Sequence, residues 1–169
     1  EGSGLRRYVH IGTGNYNPKT ARIYTDLGYI TCRPEIGADA TQLFNLLTGY
    51  SSFESWRKLM VAPHGMRERF QSFVAREIEH AKAGRPARIV CKMNSLLDVK
   101  MINSLYEASA AGVPIDLMVR GICCVRPGIP GLSQNIRVRS IVGRFLEHER
   151  IYYFCNGGAE EVYCGSADW

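Results

Sequence analysis

The sequence predicts an α/β fold in two unequal parts. Three observations carry that expectation. An apolar strand, an amphipathic helix and a second apolar strand follow one another between Arg88 and Val119, a long helical stripe precedes them, and glycine or proline marks each junction. With 46% hydrophobic and 22% charged residues over 169 positions, the chain has the composition of a folded domain, which excludes disorder. No apolar run approaches the roughly 20 residues that cross a bilayer. Glu1-Gly2-Ser3-Gly4 lacks the basic start and apolar core of a secretion signal, so the chain is expected to be a piece of a longer polypeptide.

Tyr8 to Gly12 reads as a strand entering a glycine turn. Ala21 to Cys32, rich in β-branched and aromatic residues, reads as a second strand with a break at Gly28. Asp39 is the expected N-cap of a short helix through Leu47, closed by Gly49. This first segment is too small for a core of its own, and the stretch from Leu59 to Pro63 is the expected boundary, dividing the chain into 1–58 and 59–169. From Pro63 a long helix is expected, because Met66, Phe70, Phe73, Val74, Ile78 and Ala81 share one face; Gly84 and Pro86 stop it. Arg88 to Met93 is then a strand, Leu97 to Ala111 a helix, and Ile115 to Val119 a strand, which implies a parallel crossover. An irregular loop from Pro127 to Asn135 follows. Strands are expected over Ile136–Val142, Arg150–Cys155 and Glu161–Cys164, the last two joined by an Asn-Gly-Gly turn.

The net charge of +5 is unevenly spread. Val119 to Arg150 holds Arg120, Arg126, Arg137, Arg139, Arg144 and Arg150 against Glu147 and Glu149, so 6 − 2 = +4 falls in that stretch, and no lysine does. A guanidinium fork binds two oxygens of a phosphate at once, whereas an ammonium is a point charge. The run therefore suggests a phosphoanion site, with a solvated basic face as the plain alternative. The six cysteines show no C-x-x-C spacing, and Cys123 and Cys124 are adjacent in an apolar run. Reduced thiols in a reducing compartment are expected, not structural zinc or a disulfide framework.

Two nucleotide signatures fail. Gly12-x-Gly14 has Asn17 where a dinucleotide fingerprint needs its third glycine, and no G-x-x-x-x-G-K-[ST] occurs. Instead two turns share one form. Gly12-Thr13-Gly14-Asn15 and Gly165-Ser166-Ala167-Asp168 each follow a predicted strand, and His148-x-Arg150 precedes the second. Imidazole, cation and a hydroxyl-bearing glycine turn can gather around one tetrahedral anion.

His148-x-Arg150 with Gly165-Ser166-Ala167-Asp168 resembles a variant of the H-x-K…G-S-x-N half-site of the phospholipase D superfamily. More closely, His10 to Asp26 (HIGTGNYNPKTARIYTD) and Val119 to Phe154 resemble bacterial polyphosphate kinases of the type related to that superfamily, and the similarity runs along essentially the whole chain. The resemblance implies a phospholipase D-like mixed sheet flanked by helices, with the end of one such domain followed by most of a second. It implies reversible transfer of the ATP γ-phosphoryl group through a phosphohistidine to inorganic polyphosphate. The nucleotide-contacting tyrosine, arginine and histidine fall on Tyr24, Arg120 and His148; His148 and His10 are the catalytic candidates, and Arg137, Arg139, Arg144 and Arg150 the polyphosphate-binding ones. Magnesium is expected with ATP, its ligands and the phosphorylated histidine lying upstream, so the chain alone is expected to be inactive. ATP/ADP, polyphosphate, the remaining domains and further copies of the chain are the implied partners, with no nucleic acid. The implied setting is the cytoplasm, with peripheral membrane association.

Plainer roles compete for several of these residues. Tyr24 in an alternating strand could be core, Arg120 could pair with Asp98 or Asp116, and His10 could bond a turn carbonyl; His64 and His80 read as solvent-exposed. A phospholipase D-type phosphodiesterase and a non-catalytic polyanion-binding module are the alternative functions; loss of binding with salt would mark the latter.

Overall fold

A computed structural model describes residues 5–49 and 55–169. In chain order the elements are β1 (Val9–Gly12), β2 (Tyr24–Thr25), β3 (Gly28–Thr31), α1 (Pro34–Leu47), α2 (Met66–Lys82), β4 (Ile89–Met93), α3 (Val99–Ala110), β5 (Ile115–Val119), β6 (Ile136–Arg139), β7 (Leu146–Glu147), β8 (Arg150–Phe154) and β9 (Glu161–Gly165). Short 3₁₀ turns lie at Thr20–Arg22 and Asn156–Gly158.

The C-terminal lobe is built on a five-stranded mixed sheet in the order β6-β5-β4-β8-β9. β4, β5 and β6 run parallel, and β8 and β9 are antiparallel additions. Residues on β4, β5 and β8 alternate between buried and half-buried, as the two-residue period of a strand requires when one face is covered. The covered face carries Ile89, Cys91, Met93, Ile115, Leu117, Val119, Tyr152 and Phe154, and α2 and α3 pack on it through Phe70, Phe73, Val74, Met101, Ile102 and Leu105. Trp169 closes one end of this core, stacked on Tyr152 at 4.8 Å between ring centroids and set edge-on to Phe70 at 5.0 Å.

Two acidic side chains tie the helices to the rest of this lobe. Glu77 of α2 is fully buried and accepts the backbone N–H of Arg88 at 3.0 Å and of Asn156 at 2.7 Å, bolting the helix to two loops of the sheet. Asp98 caps α3, accepting the N–H of Met101 at 3.0 Å.

Several local expectations change. Asp39 is not a cap: α1 begins at Pro34, and Asp39 is buried in mid-helix, where its carboxylate accepts the backbone N–H groups of Arg57, Lys58 and Leu59 at 2.7–3.1 Å. An acid that reads as a local cap is used instead across a gap of about twenty residues. Burial opposes its charge, yet those three N–H groups and Arg57 outweigh it and hold the carboxyl below its usual range. The Ala21–Cys32 strand is two pieces, β2 and β3, separated at Asp26-Leu27, because Thr13 exchanges bonds with Leu27 there (Leu27 N–H to Thr13 Oγ1, 2.9 Å; Thr13 N–H to Leu27 O, 2.9 Å). α2 starts at Met66 behind Gly65, whose φ of 77° is left-handed, and β6 ends at Arg139. His80 is half-buried, receiving Arg85 Nε–H on Nδ1 at 2.9 Å and facing Asn156 Oδ1 at 3.3 Å, whereas His64 is exposed.

Candidate active site

The N-terminal segment meets the C-terminal lobe at a two-stranded parallel seam, β2 against β7, with Tyr24 opposite Leu146 and Thr25 opposite Glu147. Two further backbone bonds extend it, Leu146 N–H to Ile23 O at 2.8 Å and His148 N–H to Thr25 O at 3.1 Å. The seam delivers His148 of the second segment to the side chains of the first.

The His148 ring lies over the Tyr24 ring, 4.7 Å between centroids and 12° from parallel. Its Nδ1 sits 2.9 Å from the Thr13 carbonyl oxygen. A carbonyl only accepts, so in the neutral ring Nδ1 carries the proton and Nε2 is the basic nitrogen. Arg150 Nη1 lies 3.1 Å from Nδ1 and 3.4 Å from Nε2; in this tautomer the ring nitrogen that can accept from it is Nε2, and it also donates to the His148 carbonyl at 2.5 Å. Asp26 Oδ1 stands 4.0 Å from Nδ1 on the side of the first turn. Its carboxylate occupies the space beside Gly14, where an added Cβ would meet Asp26 Oδ2 at 2.1 Å. That close approach is a reason for glycine in the first turn.

Arg120 follows β5 at the carboxyl end of the parallel strands, the position from which charged groups reach a crevice. Its Nη1 donates to the Glu147 carbonyl at 3.2 Å, one residue from His148. The salt bridges considered for it are taken by other arginines, Arg67 with Asp98 and Arg88 with Asp116. At the same strand ends, the backbone of Asn94 is bracketed. Gly121 N–H donates to Asn94 O at 2.7 Å, and Asn94 N–H donates to Asp168 Oδ1 at 2.8 Å.

Asp168 of the second turn, an exposed residue, is therefore tied by one carboxylate oxygen to the end of β4. It also accepts both arms of Arg150, Nε to Oδ1 at 3.0 Å and Nη2 to Oδ2 at 3.1 Å. Arg150, expected among the polyphosphate contacts, is buried with its fork occupied in this way. Arg137 and Arg139 are exposed on alternate positions of β6, and Arg144 is exposed with its guanidinium 5.5 Å from the Phe145 ring centroid. His10 is exposed, lies on the β1–β3 ribbon opposite Ile30 and pairs through Nδ1 with the Tyr16 hydroxyl, not with a turn carbonyl.

Sequence reasoning missed β7, the Thr13 carbonyl, Asp26 and Lys92. Lys92 had a readable signal, a lone cation in the middle of the apolar strand IVCKM. Among the described residues no three His, Cys, Asp or Glu side chains converge as metal ligands. The carboxylates near His148 do not form a magnesium cradle: both Asp168 oxygens are engaged by Arg150, Glu147 and Glu149 pair with Lys92, and Asp26 lies against Gly14 with Oδ1 4.0 Å from His148 Nδ1. No helix among the described residues is long and apolar enough to cross a membrane.

A mixed α/β sheet with helices on one face, and an imidazole, a buried arginine and a glycine turn at its strand ends, define the phospholipase D-like class. Within that class the chain belongs to the polyphosphate kinase family. Residues 59–169 match polyphosphate kinase C-terminal domain 2 and residues 1–53 match C-terminal domain 1. It is 64% identical over 169 residues to a polyphosphate kinase of Synechocystis sp., covering all of this chain and 23% of that protein. It is 57% identical over 168 residues to a polyphosphate kinase of Streptomyces coelicolor, covering 99% of this chain and 22% of that one. The crystal structure of polyphosphate kinase from Porphyromonas gingivalis superposes with a TM-score of 0.91 at 45% identity, over 97% of this chain and 27% of the other. The chain thus spans about a quarter of the length of the relatives it matches.

Proposed function

We propose that, within the full-length protein, this chain supplies the nucleotide-facing part of a site that moves the γ-phosphoryl group of ATP reversibly onto inorganic polyphosphate. In the forward direction an imidazole nitrogen attacks the γ-phosphorus and the bond to the β–γ bridging oxygen breaks, releasing ADP. A terminal oxygen of polyphosphate then attacks the phosphohistidine, and the P–N bond breaks. Two easier steps replace one direct transfer between polyanions.

The supporting observation is the stack of Tyr24 on His148, which brings residues of both matched segments to one imidazole, with Arg150 Nη1 3.4 Å from its Nε2. In this reading the histidine that carries the phosphoryl group comes from another part of the protein, and His148 acts on the phosphates as acid or base. Arg120, beside it, offsets charge on the transferring group. Arg137, Arg139 and Arg144 offer exposed guanidinium groups to the polyphosphate chain. Magnesium enters as the counter-ion of the nucleotide. The six free thiols fit a reducing cytoplasm.

The test is ATP-dependent polyphosphate synthesis by the full-length protein and its variants. His148→Ala and Arg120→Ala should each lower the rate on the order of 100-fold or more, and the purified 169-residue chain should make no polyphosphate. Full activity in His148→Ala, or synthesis by the chain alone, would overturn the reading. Hydrolysis of a chromogenic phosphodiester in place of ATP turnover would favour the diesterase.

A further inference from the structure

Lys92 lies fourth in β4, on the sheet face opposite the core helices, yet its side chain is only 13% exposed. Its Nζ is 2.9 Å from Glu147 Oε2 and 2.5 Å from Glu149 Oε1. Those glutamates are the residues on either side of His148. In extended chain, positions one apart point to opposite sides and positions two apart to the same side. Lys92 thus grips the chain before and after His148 from one side. The imidazole is directed to the other, toward Tyr24 and the Thr13 carbonyl.

The register shows why this grip falls to a side chain. β4 pairs with β8 as far as Lys92 opposite Ile151, and β8 begins at Arg150. Glu147 to Glu149 lie beyond that ladder, where the backbone holds only the short seam to β2 on its far side. Lys92 and the Arg120 bond to the Glu147 carbonyl supply hold on the near side. Charge points the same way. Glu149 is 12% exposed, and one of its oxygens, Oε2, is buried without a partner. Burial disfavours its charge, and Lys92 leads the interactions that nonetheless hold its carboxyl below the usual range. Without the ammonium, two carboxylates would flank an imidazole assigned to polyanionic substrates.

We propose that Lys92 is a positioning residue for His148: by pairing with Glu147 and Glu149 together, it fixes the presentation of the imidazole and masks the two negative charges beside it. This rests on the role given to His148 above, so the experiment includes a control for that role. In the full-length protein, Lys92→Met removes the charge at near-constant volume. It should lower kcat for polyphosphate synthesis roughly 10- to 100-fold, as a misplacement of about 1 Å does, while KM for ATP changes less than about threefold. Lys92→Arg, whose fork reaches two carboxylates, should recover most of the rate.

Lys92→Met combined with Glu149→Met replaces a buried ion pair by apolar packing, which restores stability in many proteins. It should recover thermal stability without recovering kcat, and it stands in for the single variant if that one fails to fold. Three results would refute the proposal: a kcat for Lys92→Met within about twofold of the parent, an effect confined to KM, or a rate that returns with stability in the double variant. His148→Ala separates the two layers. If it is active, the function reading fails; if it is inactive while Lys92→Met works normally, only the role of Lys92 falls.

Discussion

Replacement of Asp39 offers a test of the junction between the two segments that needs no assay of activity. Its carboxylate is fully buried and accepts three consecutive backbone N–H groups. Oδ2 takes Arg57, Lys58 and Leu59 at 3.1, 2.7 and 2.8 Å, and Oδ1 takes Arg57 at 3.0 Å. Hydrogen bonds to a charged group contribute about 1.5–3 kcal/mol each. The desolvation of a buried carboxylate offsets several kcal/mol of that sum. Arg57 and Lys58 are exposed residues, so water can replace part of what is lost. Asp39→Ala should therefore destabilise the chain by about 3 kcal/mol. Asp39→Asn can keep its amide oxygen on the Oδ2 side but sets an NH₂ group against Arg57 N–H, and should cost about 1.5 kcal/mol.

Acid distinguishes these cases. The carboxyl of Asp39 titrates lower in the folded chain than the value of about 3.9 in the unfolded one, so its contribution is complete above that value and is lost as pH falls through the folded one. The stability gap between the parent and Asp39→Asn, measured by urea unfolding at descending pH, should be constant near neutrality and close below about pH 4. A gap that persists unchanged into acid, or an Asp39→Ala variant within about 0.5 kcal/mol of the parent, would refute the reasoning.

Gly14→Ala places a Cβ 2.1 Å from Asp26 Oδ2, so the carboxylate must recede by about 1 Å; the full-length protein should lose polyphosphate synthesis by about tenfold or more with little loss of thermal stability, and a normal rate would contradict the packing. Tyr24→Phe should retain the stack on His148 and most of the activity, whereas Tyr24→Leu should lose it, because the ring faces lie nearly parallel at 4.7 Å; kinetics of the two variants side by side decide. Burial pushes the Cys91 thiol far above its ordinary range, so a thiol reagent at pH 8 should label exposed Cys124 and Cys164 within minutes and Cys91 only on unfolding, as peptide mapping would show.

Elements whose determinants are local could be read from the sequence. The apolar stripe of α2, the β4–α3–β5 crossover and the β8–β9 pair show their own periodicity and turn residues, so their positions shift by a few residues at most. Elements defined by distant partners could not. β7 is two residues long and exists because Tyr24 and Thr25, more than a hundred positions earlier, lie beside it. Asp39 has the residue type of a cap, and nothing nearby in sequence reports that Arg57 to Leu59 claim its carboxylate. The site divides the same way. Arg120 at a strand end and His148 beside Arg150 could be singled out from strand pattern and residue type. The bonded state of Arg150, held by Asp168 eighteen positions on, depends on how the last strand folds back. Lys92 is passed over although it is a charge among apolar neighbours, because its meaning depends on two glutamates that precede the neighbouring strand β8, more than fifty positions later.

The β2–β7 seam is made of main-chain atoms, with N–H groups at positions 146 and 148 donating to the carbonyls of Ile23 and Thr25. Such bonding is indifferent to most side chains and intolerant of proline, which has no N–H to give. Hybrid proteins that exchange one segment between related kinases should therefore assemble this joint with whatever residues they inherit there, so long as neither donor position becomes proline.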